Sequence, residues 1–200
     1  MAHQPIENYG IIGDMHTTAL VGTDGSIDWL CLPRFDSPSV FAAILDDQKG
    51  GRFKIAPAGD GVSRKQFYCQ DTNILATRFF TPDGVGHVMD YMPVVTRASG
   101  PERAPQLLRH VKVTRSTMTF RLECSPAFDY ARQGHETEIT AEGAHFCSPR
   151  LSLGLASEVP LKQHGRVTVA TFSLEEDESV VFALRDWPTS APSQPTASGG

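Results

Sequence analysis

The sequence contains few cysteines, and none of them is spaced to bind a metal. The four cysteines are Cys31, Cys69, Cys124 and Cys147. They lie far apart in the sequence and form no Cys-x-x-Cys pair, and no histidine follows them at the spacing of a metal ligand. A zinc site is therefore not expected, and neither a metal nor a cofactor is predicted. Cys31 and Cys124 fall on predicted inward faces, which favours buried free thiols. A disulfide is the alternative.

The chain also lacks a basic surface. Its formal net charge is -5, whereas nucleic-acid binding requires concentrated positive charge. Arg109, Lys112 and Arg115 come nearest, but they follow a predicted strand whose exposed positions would carry charge in any case. A nucleic-acid partner is therefore not expected.

Long apolar runs are missing as well. No run approaches the roughly 20 residues of a membrane span, and residues 1–5 do not place a basic region before an apolar one. The sequence therefore predicts no membrane association and a cytoplasmic location. A nucleophile elbow and a phosphate-binding glycine loop are likewise not found.

What is present suits one globular domain. The sequence has 200 residues, of which 40% are hydrophobic and 20% charged, as is typical of folded soluble chains. We predict a single domain over residues 1–187. Residues 188–200 have no large apolar side chain and are predicted to form a disordered tail or linker.

The clearest local signal is a hairpin near the N-terminus. Asp24-Gly25 separates two apolar runs at residues 19–21 and 27–32, which is a strong hairpin pattern. Asp28 lies among hydrophobic residues in the second run, so its carboxylate must find donors or lie at an edge.

A polar loop follows this hairpin. Pro33 ends the strand, and Arg34, Phe35 and Asp36 combine two charges with an aromatic ring, a composition suited to sugar hydroxyls. The alternative is that Arg34 and Asp36 pair only with each other. Ser37 as an N-cap and Pro38 at the first helical position predict a helix, whose apolar face comprises Val40, Phe41, Ile44 and Leu45.

Beyond that helix the chain reads as a series of strands. Turn signals recur about every 8 to 12 residues, which favours a sandwich or barrel. Further hairpins are predicted around Pro82-Asp83-Gly84 and between residues 107–113 and 118–124. The expected fold is all-β, a large antiparallel sandwich with one short helix after the first hairpin.

Several acidic and histidine residues are candidates for proton transfer. They are Asp14, Asp28, Asp36, Asp90, Asp129, His16 and His87. Asp14 and His16 share one side of an extended segment, although Asp14 in a turn bonded to its own backbone is the favoured interpretation. His87 alternates with Val85 and Met89 and is interpreted as a core histidine.

Several motifs resemble a known family. They are Ile12-Gly13-Asp14, Asp24 through Ser37, Val40-Phe41, Gly50-Gly51-Arg52-Phe53, Thr72 through Leu75, Asp90 through Pro93, and Pro126 through Tyr130. The chain resembles the N-terminal, trehalase-like part of the trehalase-like and glucoamylase-like proteins of glycoside hydrolase family 15. It departs from that pattern at Ala127, where arginine is expected, and at Ala131, where glycine is common.

The resemblance implies a supersandwich-like β-domain that precedes a catalytic α/α barrel. In the family the barrel carries the two glutamates of an inverting mechanism, and no part of it is expected in these residues. No catalytic residue is therefore assigned here. The domain is expected to pack on the barrel and to lend Arg34, Phe35, Asp36 and Ser37 to the rim of a pocket for an α-glucoside sugar.

Two other functions remain open. One alternative is a free-standing carbohydrate-binding module that stacks sugar on Tyr9, Phe35 and Tyr130. The other is a mutarotase-like enzyme, which needs a histidine and a glutamate in one cleft.

The missing barrel that the resemblance implies would leave one face of the domain with exposed apolar surface. Self-association is therefore also expected.

Overall fold

The computed structural model describes residues 4–94 and 105–187. Within them sixteen strands and one short helix follow a 3₁₀ turn at Ile6–Asn8. The strands are β1 (Tyr9–Gly13), β2 (Thr18–Gly22), β3 (Ser26–Cys31), β4 (Ser39–Phe41), β5 (Arg52–Pro57), β6 (Ser63–Tyr68), β7 (Leu75–Phe80), β8 (Val85–Tyr91), β9 (Gln106–Arg115), β10 (Met118–Ser125), β11 (Glu136–Thr140), β12 (Gly143–Cys147), β13 (Ser152–Ser157), β14 (Lys162–His164), β15 (Val167–Leu174) and β16 (Ser179–Asp186). The helix, α1, is Phe128–Ala131. The predicted tail at residues 188–200 lies outside the described residues.

Two antiparallel sheets form a sandwich, as the turn spacing predicts. The first has the order β1-β2-β3-β5-β10-β15-β14, with β4 paired to β3, and the second has the order β11-β12-β13-β16-β9-β8-β7-β6. The core lies between them. On β10 it takes the predicted alternating face, since Met118, Phe120, Leu122 and Cys124 are all buried. The all-β sandwich is thereby confirmed.

The first hairpin is also confirmed. Gly25 lies at its turn with φ +79°, a conformation that favours glycine, and its amide donates to the carbonyl of Gly22. The buried Asp28 has found donors, because its carboxylate accepts hydrogen bonds from the hydroxyls of Tyr9 and Ser26. Burial, together with that hydrogen bond and the negative charge of Asp28, raises the pKa of Tyr9.

The short helix is present but not at the predicted place. After the first hairpin the chain forms β4, whose three residues are all buried, and it then turns back. A strand covered on both faces shows no alternation, so its apolar run cannot be told from a helical one by period. Leu45, predicted to pack inward, is 63% exposed. The helix is α1, some 90 residues further along.

The predicted third hairpin is wrong. β9 pairs with β8 and β16 in one sheet, whereas β10 pairs with β5 and β15 in the other. The chain therefore crosses the sandwich between them, at Ser116 with φ 61°. Both strands alternate because both turn one face to the same core, so their pattern is identical to that of a hairpin.

Two residues of the second sheet also differ from their predicted positions. His87 is only half-buried, and it is Gly86 and Val88 on either side that face the core. Arg109, predicted on an exposed face, is completely buried. It donates hydrogen bonds to the carboxylate of Asp90, to the carbonyl of Phe53 in the opposite sheet and to the carbonyl of Gly25 in the turn before β3.

One end of the sandwich gathers most of the long connections. We call it the loop end, comprising residues 14–17, 32–38, 42–51, 69–74, 126–135, 148–151 and 165–166. Trp187, the last described residue, lies there too, since its amide donates to the carbonyl of Ser152 at 2.8 Å. The described part of the chain therefore ends at the loop end.

Candidate functional site

The four predicted rim residues lie together in the loop between β3 and β4. Arg34 Nε is 3.4 Å from Asp36 Oδ1, and both side chains are 66% exposed. The backbone amide of Arg34 donates to Ser37 Oγ, and Phe35 is 64% exposed. The pairing of Arg34 with Asp36 that the sequence left open is therefore present. Such an exposed pair contributes at most about 1 kcal/mol, so both groups remain accessible to a ligand.

A second turn supports this loop. Asp14 Oδ1 accepts hydrogen bonds from the backbone amides of His16 and Thr17, which is the turn geometry favoured from the sequence. The carbonyl of His16 then accepts a hydrogen bond from the amide of Phe35 at 2.9 Å. Asp14 and His16 thus position the rim loop.

A small cleft opens at the base of the rim loop, and we call it the rim cleft; of the four predicted rim residues, Ser37 lines it and Arg34, Phe35 and Asp36 do not. Its volume is about 210 Å³. It is lined by Leu32, Pro33, Ser37, Pro38, Ser39, Phe128, Asp129, Gln133, Arg150 and Leu151. Two of the motifs that carry the family resemblance, at residues 24–37 and 126–130, therefore meet at one cleft.

Ser39 gives the rim cleft an unusual polar group. Its side chain is 1% exposed, and its hydroxyl has no hydrogen-bond partner among the described residues. Buried hydroxyls are normally satisfied by protein or water.

The opposite wall of the rim cleft is a left-handed turn. Asp129, Tyr130 and Ala131 have φ values of 52°, 55° and 62°, which cost L-residues energy. The turn places Asp129 in the cleft and Tyr130 outside it, beside Trp29 with ring centroids 6.2 Å apart. Strain of this kind persists where the surroundings enforce it and is frequent at ligand sites.

The other candidates for proton transfer do not converge on a cleft. Asp28 is bonded to Tyr9 and Ser26, and Asp90 is bonded to Arg109 inside the core. Burial, followed by the charge of Arg78, lowers the pKa of His87. Three clefts lined by described residues each contain at most one carboxylate.

The sequence reasoning missed a second, larger cleft at the loop end. It has a volume of about 490 Å³ and is lined by residues from four separate segments. Burial, followed by the charge of Arg166, lowers the pKa of His135 in its wall. Lys49, Arg132 and Arg166 also line it. These three cations and His135 come from separate parts of the sequence, so no local sequence motif indicates that they line one cleft.

The described ranges contain neither a metal-binding cluster nor a membrane-spanning helix. Residues 4–94 and 105–187 contain no group of three or more histidine, cysteine or acidic side chains placed to hold a metal ion. The helices in the same ranges are too short to cross a bilayer. All four cysteines are free, and Cys31 and Cys124 are buried as predicted.

Comparison with known proteins decides the family. The sequence profile of the family described as "Trehalase-like, N-terminal" matches residues 1–194. The chain belongs to this family. It is 32% identical to a trehalase of Mycobacterium tuberculosis over 95% of its length, and 33% and 34% identical to trehalases of Mycolicibacterium smegmatis and Thermoplasma volcanium over 90%.

This member of the trehalase-like N-terminal family is much shorter than those relatives. The matched region spans only 31%, 30% and 29% of the three trehalases. The chain therefore corresponds to the N-terminal part of larger proteins, and about two thirds of each relative has no counterpart in it.

Proposed function

We propose that this chain is the accessory N-terminal domain of an α-glucoside or trehalose hydrolase of glycoside hydrolase family 15 type. It packs on a catalytic α/α barrel and contributes the Arg34–Ser37 loop to the rim of the barrel's sugar pocket. The observation that carries this proposal is the rim cleft. There two family motifs and the unpartnered hydroxyl of Ser39 meet at the loop end, from which the chain continues after Trp187.

The distribution of charged groups supports a non-catalytic role. Inverting hydrolysis needs two carboxyl groups roughly 6.5 to 9.5 Å apart across the scissile bond. The rim cleft contributes one, Asp129, whose side chain is paired with Arg132 at 2.7 Å. The acid and the base therefore belong to the partner, while this domain positions hydroxyls of the sugar.

A chimera tests this proposal. The chain replaces the matching N-terminal residues of the Mycolicibacterium smegmatis trehalase, and the chimera is expected to hydrolyse trehalose. Arg34→Ala in that chimera should lower kcat/KM about tenfold, because a charge-assisted hydrogen bond to the sugar is lost. Arg64→Ala, an exposed arginine on β6 away from the rim, serves as the matched control.

Two outcomes would contradict the proposal in different ways. A folded chimera without trehalose hydrolysis would remove the accessory role. An active chimera in which Arg34→Ala and Arg64→Ala behave alike would remove the rim role alone.

A second candidate function is carbohydrate binding by the chain on its own. It is favoured by the exposed rings of Phe35 and Tyr130 at the loop end. Tyr9, the third proposed ring, is at the opposite end of β1, where it pairs with Gly22. Titration calorimetry with trehalose and maltose distinguishes the two functions. An accessory domain gives no heat at millimolar sugar, whereas a binding module gives heat that Phe35→Ala abolishes.

The mutarotase-like alternative receives no support from the clefts. It needs a histidine and a glutamate facing one cavity. The rim cleft, the larger cleft at the loop end and the cleft at residues 68–74 are lined by no glutamate.

A further inference from the structure

The larger cleft, which we call the basic cleft, lies where the two sheets separate at one side. Gln163 is on β14, the edge strand of the first sheet, and Thr137 is on β11, the edge strand of the second. Residues 48–51 and the segment after β10 close the other walls. The cleft is therefore separate from the rim loop, although Gln133 lines both clefts.

The charge of this cleft is opposite to that of the chain. Lys49, Arg132 and Arg166 line it together with His135, and none of its lining residues is acidic. The chain as a whole has a net charge of -5. Arg132 is paired with Asp129, but Lys49 and Arg166 have no ion-pair partner among the described residues. Two unpaired cations in a cleft with no acidic lining residue favour an anionic ligand.

The remaining lining groups suit hydroxyls. Gln48, Gln133 and Gln163 contribute three side-chain amides, each of which can both donate and accept hydrogen bonds. A volume of about 490 Å³ falls in the range of small-molecule sites, roughly 300 to 1,000 Å³. A simple inorganic anion would leave most of this space and these amides unused.

The cleft wall also has room for a ligand to approach. A Cβ atom added at Gly134 or Gly165 would meet no atom within 4 Å. Both glycines line the cleft, so their backbone is open to the cavity. Gly134 does not have a positive φ, so a larger side chain fits at this position in the cleft wall without backbone strain.

We propose that the basic cleft binds an anionic sugar, that is, a hexose or disaccharide carrying a phosphate ester or a carboxylate. Lys49 and Arg166 bind the anionic group, and the three glutamines bind hydroxyls. The proposal does not depend on the proposed accessory function, because it uses neither the rim loop nor a barrel.

Titration calorimetry on the 200-residue chain tests it with four probes: glucose 6-phosphate, glucuronate, inorganic phosphate and trehalose. We expect heat from at least one of the two anionic sugars, and the stronger of them identifies the anionic group. Lys49→Gln and Arg166→Gln should each weaken binding about tenfold. Arg64→Gln is the control for loss of one exposed positive charge outside the cleft and should leave binding unchanged.

A steric variant supplies an independent arm. Gly134→Phe keeps every charge and should abolish binding by filling the cavity, while circular dichroism confirms that the sandwich is intact. Arg34→Ala at the rim should have no effect on the titration, which separates this site from the rim cleft.

Several outcomes would overturn the proposal. The first is that neither anionic sugar gives heat at 10 mM. The second is that inorganic phosphate or trehalose binds as tightly as the anionic sugars. The third is that binding survives Gly134→Phe in a folded protein.

Discussion

At the scale of single residues, Arg109 has the largest predicted effect on stability. It is 0% exposed, pairs with Asp90 on the neighbouring strand and donates hydrogen bonds to Phe53 of the opposite sheet and to Gly25 in the turn before β3. Arg109→Met would leave the carboxylate of Asp90 buried without its cation. Removing one partner of a buried pair costs about 3 to 5 kcal/mol. We therefore expect urea unfolding to show a loss of that size in the free energy of unfolding.

Lys112→Met is the matched control for Arg109→Met. Lys112 pairs with Asp177 at 3.1 Å, but their side chains are 35% and 81% exposed, so its loss should cost less than about 1 kcal/mol. The double variant Arg109→Met with Asp90→Leu should recover part of the stability, because no unpaired charge stays buried. Equal losses for Arg109→Met and Lys112→Met would contradict the structural role of Arg109.

Residue positions were predictable from the sequence only where a local rule applied. Asp28 in an apolar strand had to be satisfied, and it is. Arg109 is also a charged residue in a strand, but its partners come from two other strands, β5 and β8, and from the turn before β3. Partners brought together by folding leave no local signal in the sequence.

At the scale of elements, the left-handed turn of α1 gives a test of backbone strain. Ala131 has φ 62°, a conformation that costs L-residues about 1 to 2 kcal/mol. Ala131→Gly removes this strain but gives the unfolded chain more freedom, worth about 0.5 to 1 kcal/mol. We expect the free energy of unfolding to rise by about 0.5 to 1 kcal/mol. Urea unfolding measures this change, and its midpoint should move to a higher urea concentration.

Ala127→Gly is the control for that substitution. Ala127 has φ -131°, so glycine relieves nothing there and should destabilise the protein by about 0.5 to 1 kcal/mol. If both substitutions destabilise the protein equally, the turn is not strained in solution.

The elements themselves were predictable to differing degrees. Hairpins joined by short turns, such as β2 with β3 and β7 with β8, follow from turn residues between apolar runs. The crossing from β9 to β10 does not, because alternation shows which side of a strand is buried and not which sheet it joins. The rim cleft could not be predicted for a similar reason, because residues 32–39 meet residues 128–133 only in the folded sandwich.

At the scale of the whole molecule, exposed apolar side chains gather at the loop end. Met15, Phe35, Leu45 and Tyr130 are 85%, 64%, 63% and 42% exposed, and all four lie in loop-end connections. Burying a large apolar side chain contributes about 1.5 to 3 kcal/mol, so without a partner domain this end favours contact with a second copy. We expect sedimentation equilibrium to show a dimer that forms with increasing protein concentration.

The double variant Phe35→Ser with Leu45→Ser should shift that equilibrium toward monomer by at least tenfold in the dissociation constant, because two apolar side chains no longer become buried. Ile6→Ser is the matched control. Ile6 is 77% exposed but lies in the 3₁₀ turn before β1, at the opposite end of the sandwich. A chain that stays monomeric at millimolar concentration, or that responds to Ile6→Ser as strongly as to the double variant, would show that the loop end is not an association surface.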